Sequence, residues 1–124
     1  MSASILVVED EIEVRRLVTD TLRDAGYFVL SGATAREGLR LLEDNPALQV
    51  LLTDIGLPEG ISGRELAARA REKHPALRVI FMTGYAQGED ITLAEGDGLL
   101  SKPFNSSTLL QRVNEALATR VDAG

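Results

Sequence analysis

The sequence predicts an open α/β fold in which helices cover both faces of a five-stranded parallel sheet. Strand-like apolar runs alternate with segments of helical spacing along the whole chain, a pattern typical of repeated βα units with right-handed crossovers. Three of the runs are apolar at consecutive positions, as are strands buried on both faces of a parallel sheet. The runs are residues 4–8, 27–30, 49–53, 78–83 and 98–101.

The first and the last helix are predicted from apolar positions along one side. Residues 11–25 form a broad apolar stripe, and residues from about 105 onward form another. The stripes consist of Ile12, Val14, Leu17, Val18 and Leu22, and of Leu109, Leu110, Val113 and Leu117. Residues 87–97 contain glycines and a poor helical pattern, which predicts only a short or frayed helix.

The two helices that follow the second and third strands are predicted to begin at capping boxes. Thr34 is followed three residues later by Glu37, and Ser62 is followed by Glu65. In each pair the two side chains can satisfy free backbone N–H groups at the helix start. Each helix ends near the next proline. The whole pattern predicts a flavodoxin-like doubly wound (βα)5 domain with strand order 2-1-3-4-5.

Length and charge limit the classes of partner. The 124 residues fit one domain, with a core of about residues 4–118 and a short C-terminal tail. A net charge of −6 argues against direct binding of nucleic acid or of an anionic membrane surface. The absence of cysteine excludes disulfides and thiolate metal sites. No signal peptide or membrane span is predicted, and we expect a cytoplasmic protein.

Polar residues stand at the ends of four predicted strands. Glu9 and Asp10 follow the first strand, Asp54 follows the third, Thr83 ends the fourth and Lys102 follows the fifth. In an open α/β sheet, ligands bind beyond the carboxyl ends of the strands, near the switch in strand order. The predicted order places the third strand between the first and the fourth, so these groups can converge.

The converging groups suggest a metal-dependent reaction of a phosphoryl group. Carboxylates crowded at one sheet edge repel one another unless a cation neutralises them. Oxygen ligands without a nearby His or Cys suit Mg²⁺. Lys102 and Thr83 then provide a cation and a hydroxyl donor for an anionic ligand. Such a set suits phosphoryl transfer to a carboxylate, where positioning and charge neutralisation provide most of the catalysis.

Each of these residues also has an ordinary structural explanation. A lone acid at a strand end is more often a helix cap or a solvated loop residue. Taken alone, Thr83 is more often a strand-end hydroxyl that bonds to the backbone, and Lys102 is more often a surface lysine. Asp54 is harder to explain in this way, because it follows an apolar strand and precedes a loop containing Gly and Pro. The occurrence of all the groups at the ends of four strands favours a site. Neither a dinucleotide-binding glycine motif nor a P-loop is present.

Five motifs, in this order and spacing, resemble the receiver domain of two-component response regulators over about residues 4–118. The resemblance implies a phosphorelay signalling switch with modest self-phosphorylation and self-dephosphorylation rather than a metabolic enzyme. It also implies a downstream protein target and either a monomer or a weak, phosphorylation-dependent dimer. The motifs are VVEDE at residues 7–11, LTDIGLP at 52–58, SG at 62–63, MTG at 82–84 and SKPF at 101–104.

The resemblance implies roles for the acidic residues. Asp54 would accept the phosphoryl group from the phosphohistidine of a histidine kinase or histidine phosphotransfer protein. Mg²⁺ would be bound by the side chains of Asp10 and Asp54, by Glu9 directly or through water, and by the backbone carbonyl of Gly56.

The remaining motif residues would act on the phosphoryl group itself. Lys102 would contact the phosphoryl oxygens, and Thr83 would move inward to hydrogen-bond them. The bond between Lys102 and Pro103 is cis in this family. The aromatic residue often found in the fifth strand is replaced here by Leu99 or Leu100.

Two further departures concern the loops around the site. The loop after Asp54 is one residue longer than the common form, through residues 59–60, and Gly56 offers no side chain to position a hydrolytic water. We hypothesise that Tyr85 partly replaces the missing aromatic coupling and shields the phosphoryl group from water. A Tyr85→Ala protein with normal signalling and dephosphorylation would contradict this.

Several alternatives remain open. The domain either stands alone or belongs to a larger hybrid kinase, whose receivers often have similar T-G-Y and K-P-F sequences. A Mg²⁺-dependent phosphohydrolase would need an acid close after the nucleophile, where Gly56 stands. A degenerate receiver that only binds a partner would not need the intact Asp54, Thr83 and Lys102.

Overall fold

Five parallel strands form one sheet in the computed structural model, which describes residues 3–57, 60–84 and 97–118. The order β2-β1-β3-β4-β5 confirms the predicted order, with the switch between β1 and β3. The strands are β1 (Ser4–Val8), β2 (Phe28–Gly32), β3 (Val50–Asp54), β4 (Arg78–Thr83) and β5 (Gly98–Ser101).

Some sequence predictions fall outside these residues. They are the short helix of residues 87–97 apart from Asp97, the inserted Glu59, the hypothesis on Tyr85 and the C-terminal tail.

The predicted strands match the sheet closely, but β2 and β3 each begin one residue later than predicted and end further along the chain, and the pairing explains where they end. β3 extends one residue further than its apolar run and ends at Asp54, which pairs with Met82 of β4. β2 continues past its apolar run to Gly32, which pairs with Val8. The Gly32 carbonyl then accepts a hydrogen bond of 3.1 Å from the Glu9 amide, so β1 and β2 stay together up to the first acidic residue.

Four helices lie within the described residues, and the two predicted capping hydroxyls are in place. Thr34 Oγ1 accepts from the Glu37 amide and Ser62 Oγ accepts from the Glu65 amide, each at 3.2 Å. None of the helices in the described ranges has the length and apolar character needed to cross a membrane. The helices are α1 (Ile12–Asp24), α2 (Ala35–Asp44), α3 (Gly63–Lys73) and α4 (Ser106–Ala118).

The sheet separates two apolar cores. Ile5 and Val7 face the core beneath α1 and α4, whereas Leu6 and Val8 face the core beneath α2 and α3. Because successive side chains of a strand point to opposite faces, both faces must be apolar, which explains the continuous apolar runs.

The apolar stripe predicted for α1 is narrower than expected. Val18 and Leu22 are buried, but Ile12 and Leu17 are each 53% exposed. Val14, Val18 and Leu22 are spaced by four residues and lie along one side of the helix, so that side meets the sheet and the other two positions face solvent.

Candidate functional site

Four of the predicted side chains meet at the carboxyl end of the sheet. One carboxylate oxygen from each of Glu9, Asp10 and Asp54 lies within 4.8 Å of the other two. Lys102 Nζ lies 2.5 Å from Glu9 Oε1 and 3.1 Å from Asp54 Oδ2. Strands β1, β3 and β5 bring these residues together because their carboxyl ends all point to the same edge of the sheet.

The Asp54 carboxylate has a different partner at each oxygen. Oδ1 accepts a hydrogen bond of 3.2 Å from the Gly56 amide, and Oδ2 pairs with Lys102. The residue itself is 7% exposed, and the Ile55 amide donates to the Met82 carbonyl at 3.1 Å. The carboxylate is therefore oriented from both sides while part of it remains accessible.

Glu9 is fully buried, and its burial changes its protonation. Its Oε2 accepts a hydrogen bond of 3.0 Å from the Glu11 amide. Burial raises the pKa of Glu9 from 4.5 to about 7, although the hydrogen bonds from Lys102 and Glu11 partly oppose the rise. For Lys102, burial alone would lower the pKa, but the hydrogen bonds to Glu9 and Asp54 outweigh burial and raise it.

The raised pKa of Glu9 predicts a pH-dependent stability of the metal-free protein. Between pH 4.5 and about 7 the folded protein holds a proton on Glu9 that the unfolded chain has lost. The contribution of Glu9 to the free energy of unfolding should therefore decrease as pH rises through this range. Urea unfolding in EDTA should show the wild type losing stability relative to Glu9→Gln over this range. Parallel pH profiles for the two proteins would contradict this prediction.

Thr83 and Gly56 also lie at this end of the sheet, but neither contributes a side chain to the cluster of carboxylates and Lys102. Thr83 ends β4, one residue beyond the partner of Asp54, and its hydroxyl donates to the Gly84 carbonyl at a long 3.4 Å. No hydrogen bond joins the Thr83 hydroxyl to the side chain of Asp54 or Lys102 within the described part of the chain. Gly56 contributes its amide to Asp54, whereas its carbonyl was the group named in the sequence interpretation.

Strand β5, which directly precedes Lys102, is held in place at several points. The Lys102 amide donates to the Thr83 carbonyl at 2.8 Å, and the Lys102–Pro103 bond is cis, as the resemblance implied. Earlier in the strand, Arg112 of α4 donates to the Leu99 carbonyl at 3.2 Å. Arg71 of α3 forms an ion pair with Asp97, which directly precedes the strand and has an almost completely buried side chain.

Gly63 has a role at the site that its sequence position did not predict. It is the first residue of α3, and a Cβ built on it would lie 2.0 Å from the Asp54 carbonyl oxygen and 3.0 Å from Ile55 Cα. Its amide donates to the Ile55 carbonyl at 3.0 Å. The absence of a side chain thus lets α3 begin directly against the end of β3. In the sequence, the SG motif of residues 62–63 indicated only where the loop after Asp54 ends.

The donor set fits a hard divalent cation. Glu9, Asp10 and Asp54 provide only carboxylate oxygens, and Lys102 is the one cation paired with them among the described residues. The exposed Asp10 carboxylate has no hydrogen-bond or ion-pair partner in that part of the chain. A cluster with more negative than positive groups and a free oxygen ligand suits Mg²⁺, which prefers oxygen ligands and retains several waters.

Comparison with known proteins identifies the family. Residues 5–114 match the family model of the response regulator receiver domain. The response regulator receiver protein CpdR of Brucella abortus is 35% identical over 116 residues, which cover 91% of this chain and 95% of CpdR. The sensor kinase CckA of the same organism is 33% identical over 120 residues, which cover 94% of this chain but 13% of CckA.

A solved structure agrees with these sequence relatives. The crystal structure of a response regulator receiver domain protein from Clostridium thermocellum matches with a TM-score of 0.84 and 30% identity, covering 93% of this chain and 94% of that one. The protein therefore belongs to the family of response regulator receiver domains of two-component signalling systems.

Proposed function

We propose that this protein is a phosphorelay switch in which Asp54 accepts a phosphoryl group from the phosphohistidine of a histidine kinase or phosphotransfer protein. The environment of Asp54 is the observation that supports the proposal most strongly. Its carboxylate is oriented by the Gly56 amide and by Lys102, and it lies beside the carboxylates of Glu9 and Asp10. A cluster arranged only for stability would not need three acids around a single cation.

The reaction moves one phosphoryl group between two side chains. A carboxylate oxygen of Asp54 forms a bond to phosphorus while the bond between phosphorus and the donor imidazole nitrogen breaks. The electron pair of the broken bond stays on that nitrogen. Water later attacks phosphorus while the bond between phosphorus and the Asp54 oxygen breaks with its electron pair left on that oxygen, so inorganic phosphate carries the water oxygen away and the carboxylate is restored.

Two residues are suited to stabilise the phosphoryl oxygens. Lys102 already lies 3.1 Å from Asp54 Oδ2, so a phosphoryl group on Asp54 comes within reach of its ammonium group. The long hydrogen bond of Thr83 to its neighbour's carbonyl is weak and is readily exchanged for one to a phosphoryl oxygen. Movement of Thr83 would then alter the β4 end of the domain, where a downstream protein could detect it.

Mg²⁺ is the proposed cofactor. Glu9, Asp10 and Asp54 would hold it, together with the backbone carbonyl of Gly56. When bound, the ion neutralises charge that develops on the transferring phosphoryl group. The self-catalysed reactions would be modest, because the protein contributes positioning and charge rather than a further acid or base.

The setting of the switch follows from the same reasoning. We place one receiver domain in residues 1–124, acting in the cytoplasm as a monomer or as a weak dimer when phosphorylated. Its acidic charge of −6 favours protein partners over nucleic acid or membranes. The chain aligns with almost all of CpdR but with only a small part of CckA. The domain therefore either stands alone or forms part of a larger protein.

The proposal predicts a Mg²⁺-dependent covalent adduct on Asp54. Intact-mass analysis after incubation with acetyl phosphate and Mg²⁺ should detect one added phosphoryl group, which Asp54→Asn and EDTA should each abolish. Asp44→Asn is a matched control, since Asp44 is an exposed aspartate at the end of α2. An unmodified wild-type protein, or an adduct that persists in Asp54→Asn, would reject the proposal and favour a binding module or a phosphohydrolase.

A further inference from the structure

We infer that Arg15 is a positioning residue that orients the Glu9–Asp10 peptide so that the Asp10 carboxylate faces the Mg²⁺ site. Arg15 lies one turn into α1, and its side chain turns back toward the acidic pair. Its Nη1 donates a hydrogen bond of 2.8 Å to the Glu9 carbonyl oxygen. The inference rests on the proposed function, because it concerns the ion that Asp10 would bind.

The Glu9 backbone is anchored on both sides, and Arg15 provides one of the anchors. The Glu9 amide donates to the Gly32 carbonyl of β2 at 3.1 Å, and the Glu9 carbonyl accepts from Arg15. That carbonyl belongs to the peptide that leads into Asp10. Because a peptide group is planar, holding its oxygen also sets the direction in which the chain enters Asp10.

Asp10 needs such an anchor more than the other acids do. Glu9 and Asp54 have carboxylates held by Lys102 and by backbone amides. The carboxylate of Asp10 is exposed and has no such partner among the described residues. Its position therefore depends on the backbone that carries it, and Arg15 is the side chain that fixes this backbone.

The start of α1 supports the same conclusion. The N-cap residue Glu11 makes no side-chain capping bond, unlike Thr34 and Ser62 at the starts of α2 and α3. The start of α1 is instead joined to the residue after β1 by two hydrogen bonds to Glu9, one from the Arg15 side chain to its carbonyl at 2.8 Å and one from the Glu11 amide to its carboxylate at 3.0 Å.

Positioning and electrostatics predict opposite effects of removing Arg15. A cation near three carboxylates repels a divalent ion, so the loss of its charge alone would strengthen Mg²⁺ binding. Loss of the anchor would weaken binding instead, since partners of metal ligands typically contribute about 10-fold or more to affinity. The neighbouring Arg16 is exposed and its side chain makes no hydrogen bond or ion pair with Glu9, so Arg16→Met removes the same charge without the anchor.

The test is a Mg²⁺ titration without a phosphodonor. Binding is monitored through the NMR chemical shifts of the backbone amides near the site. We expect Arg15→Met to bind Mg²⁺ about 10-fold more weakly than the wild type. Arg16→Met should bind equally or more tightly, and Arg15→Lys should recover part of the loss. With acetyl phosphate, saturating Mg²⁺ should return the phosphorylation rate of Arg15→Met to near that of the wild type, which a general loss of structure would not allow.

The outcomes separate this inference from the proposed function. If Arg15→Met unfolds, Arg15→Lys provides the test and should bind Mg²⁺ more weakly than the wild type does. Affinity equal to or above that of the wild type in the folded Arg15 variants would overturn the role of Arg15, while a wild-type adduct on Asp54 would leave the phosphorelay proposal intact. A wild type that neither binds Mg²⁺ nor forms the adduct would reject both.

Discussion

Replacing Lys102 with methionine is expected to lower the free energy of unfolding of the metal-free protein by about 3 kcal/mol at pH 8. Lys102 pairs with both Glu9 and Asp54, and both acids are buried. Methionine keeps much of the side-chain length but leaves two buried carboxylates without a cation. Denaturant unfolding in EDTA measures the change directly.

The pH dependence of this loss provides a second measurement. At pH 5, below the raised pKa of Glu9 of about 7, Glu9 is protonated, so the cost of removing Lys102 should be smaller than at pH 8. Mg²⁺ should restore part of the lost stability at pH 8, because it replaces the missing positive charge. Lys73→Met is the matched control, as Lys73 is exposed in the last turn of α3 and should change stability by no more than about 0.5 kcal/mol. An equal loss at both pH values would show that packing, not charge, explains the effect.

Substituting Gly63 with alanine is expected to destabilise the protein by about 3 kcal/mol and to slow phosphorylation. The new methyl group would lie 2.0 Å from the Asp54 carbonyl oxygen, and its other close neighbours are also backbone atoms. Backbone atoms cannot turn aside as a side chain can, so α3 must shift away from β3 and weaken the hydrogen bond between Gly63 and Ile55. The same shift would disturb the orientation of Asp54.

Gly84 offers a matched control for this prediction. It lies at the same end of the sheet, after β4, and apart from its chain neighbours a Cβ there would have no atom of the described residues within 4 Å. Gly84→Ala should therefore change the free energy of unfolding by no more than about 0.5 kcal/mol. If Gly63→Ala left both the free energy of unfolding and the rate of adduct formation unchanged, the packing of α3 would not depend on the close approach to Asp54.

The fold could be predicted because its main signals are local or periodic. The continuous apolar runs indicated strands buried on both faces, and the capping pairs at Thr34 and Ser62 marked the starts of α2 and α3. The stripe of α1 was predicted too broadly, since Ile12 and Leu17 are exposed. The apolar residues of a helix do not show how much of the helix surface the rest of the protein will bury.

Within the candidate site, the chemical groups at the strand ends could be predicted from the order of residues along the chain. Glu9, Asp10, Asp54 and Lys102 could be named because the strand order requires the ends of β1, β3 and β5 to lie at one edge. Their functional roles remain predictions, to be tested by the adduct on Asp54 and by Mg²⁺ binding. The order of residues along the strands was sufficient to name these groups, because the ends of parallel strands lie close together in the folded sheet.

Three features of the site could be found only in the folded protein, because they depend on how separate elements pack together. The full burial of Glu9 raises its pKa to about 7, and no sequence pattern gives the depth of one carboxylate. Gly63 is required by a backbone atom of β3, and Arg15 reaches a carbonyl six residues before it. These features arise from the packing of α1 and α3 against particular strands. Such packing is set by the whole core, so local propensity cannot predict it.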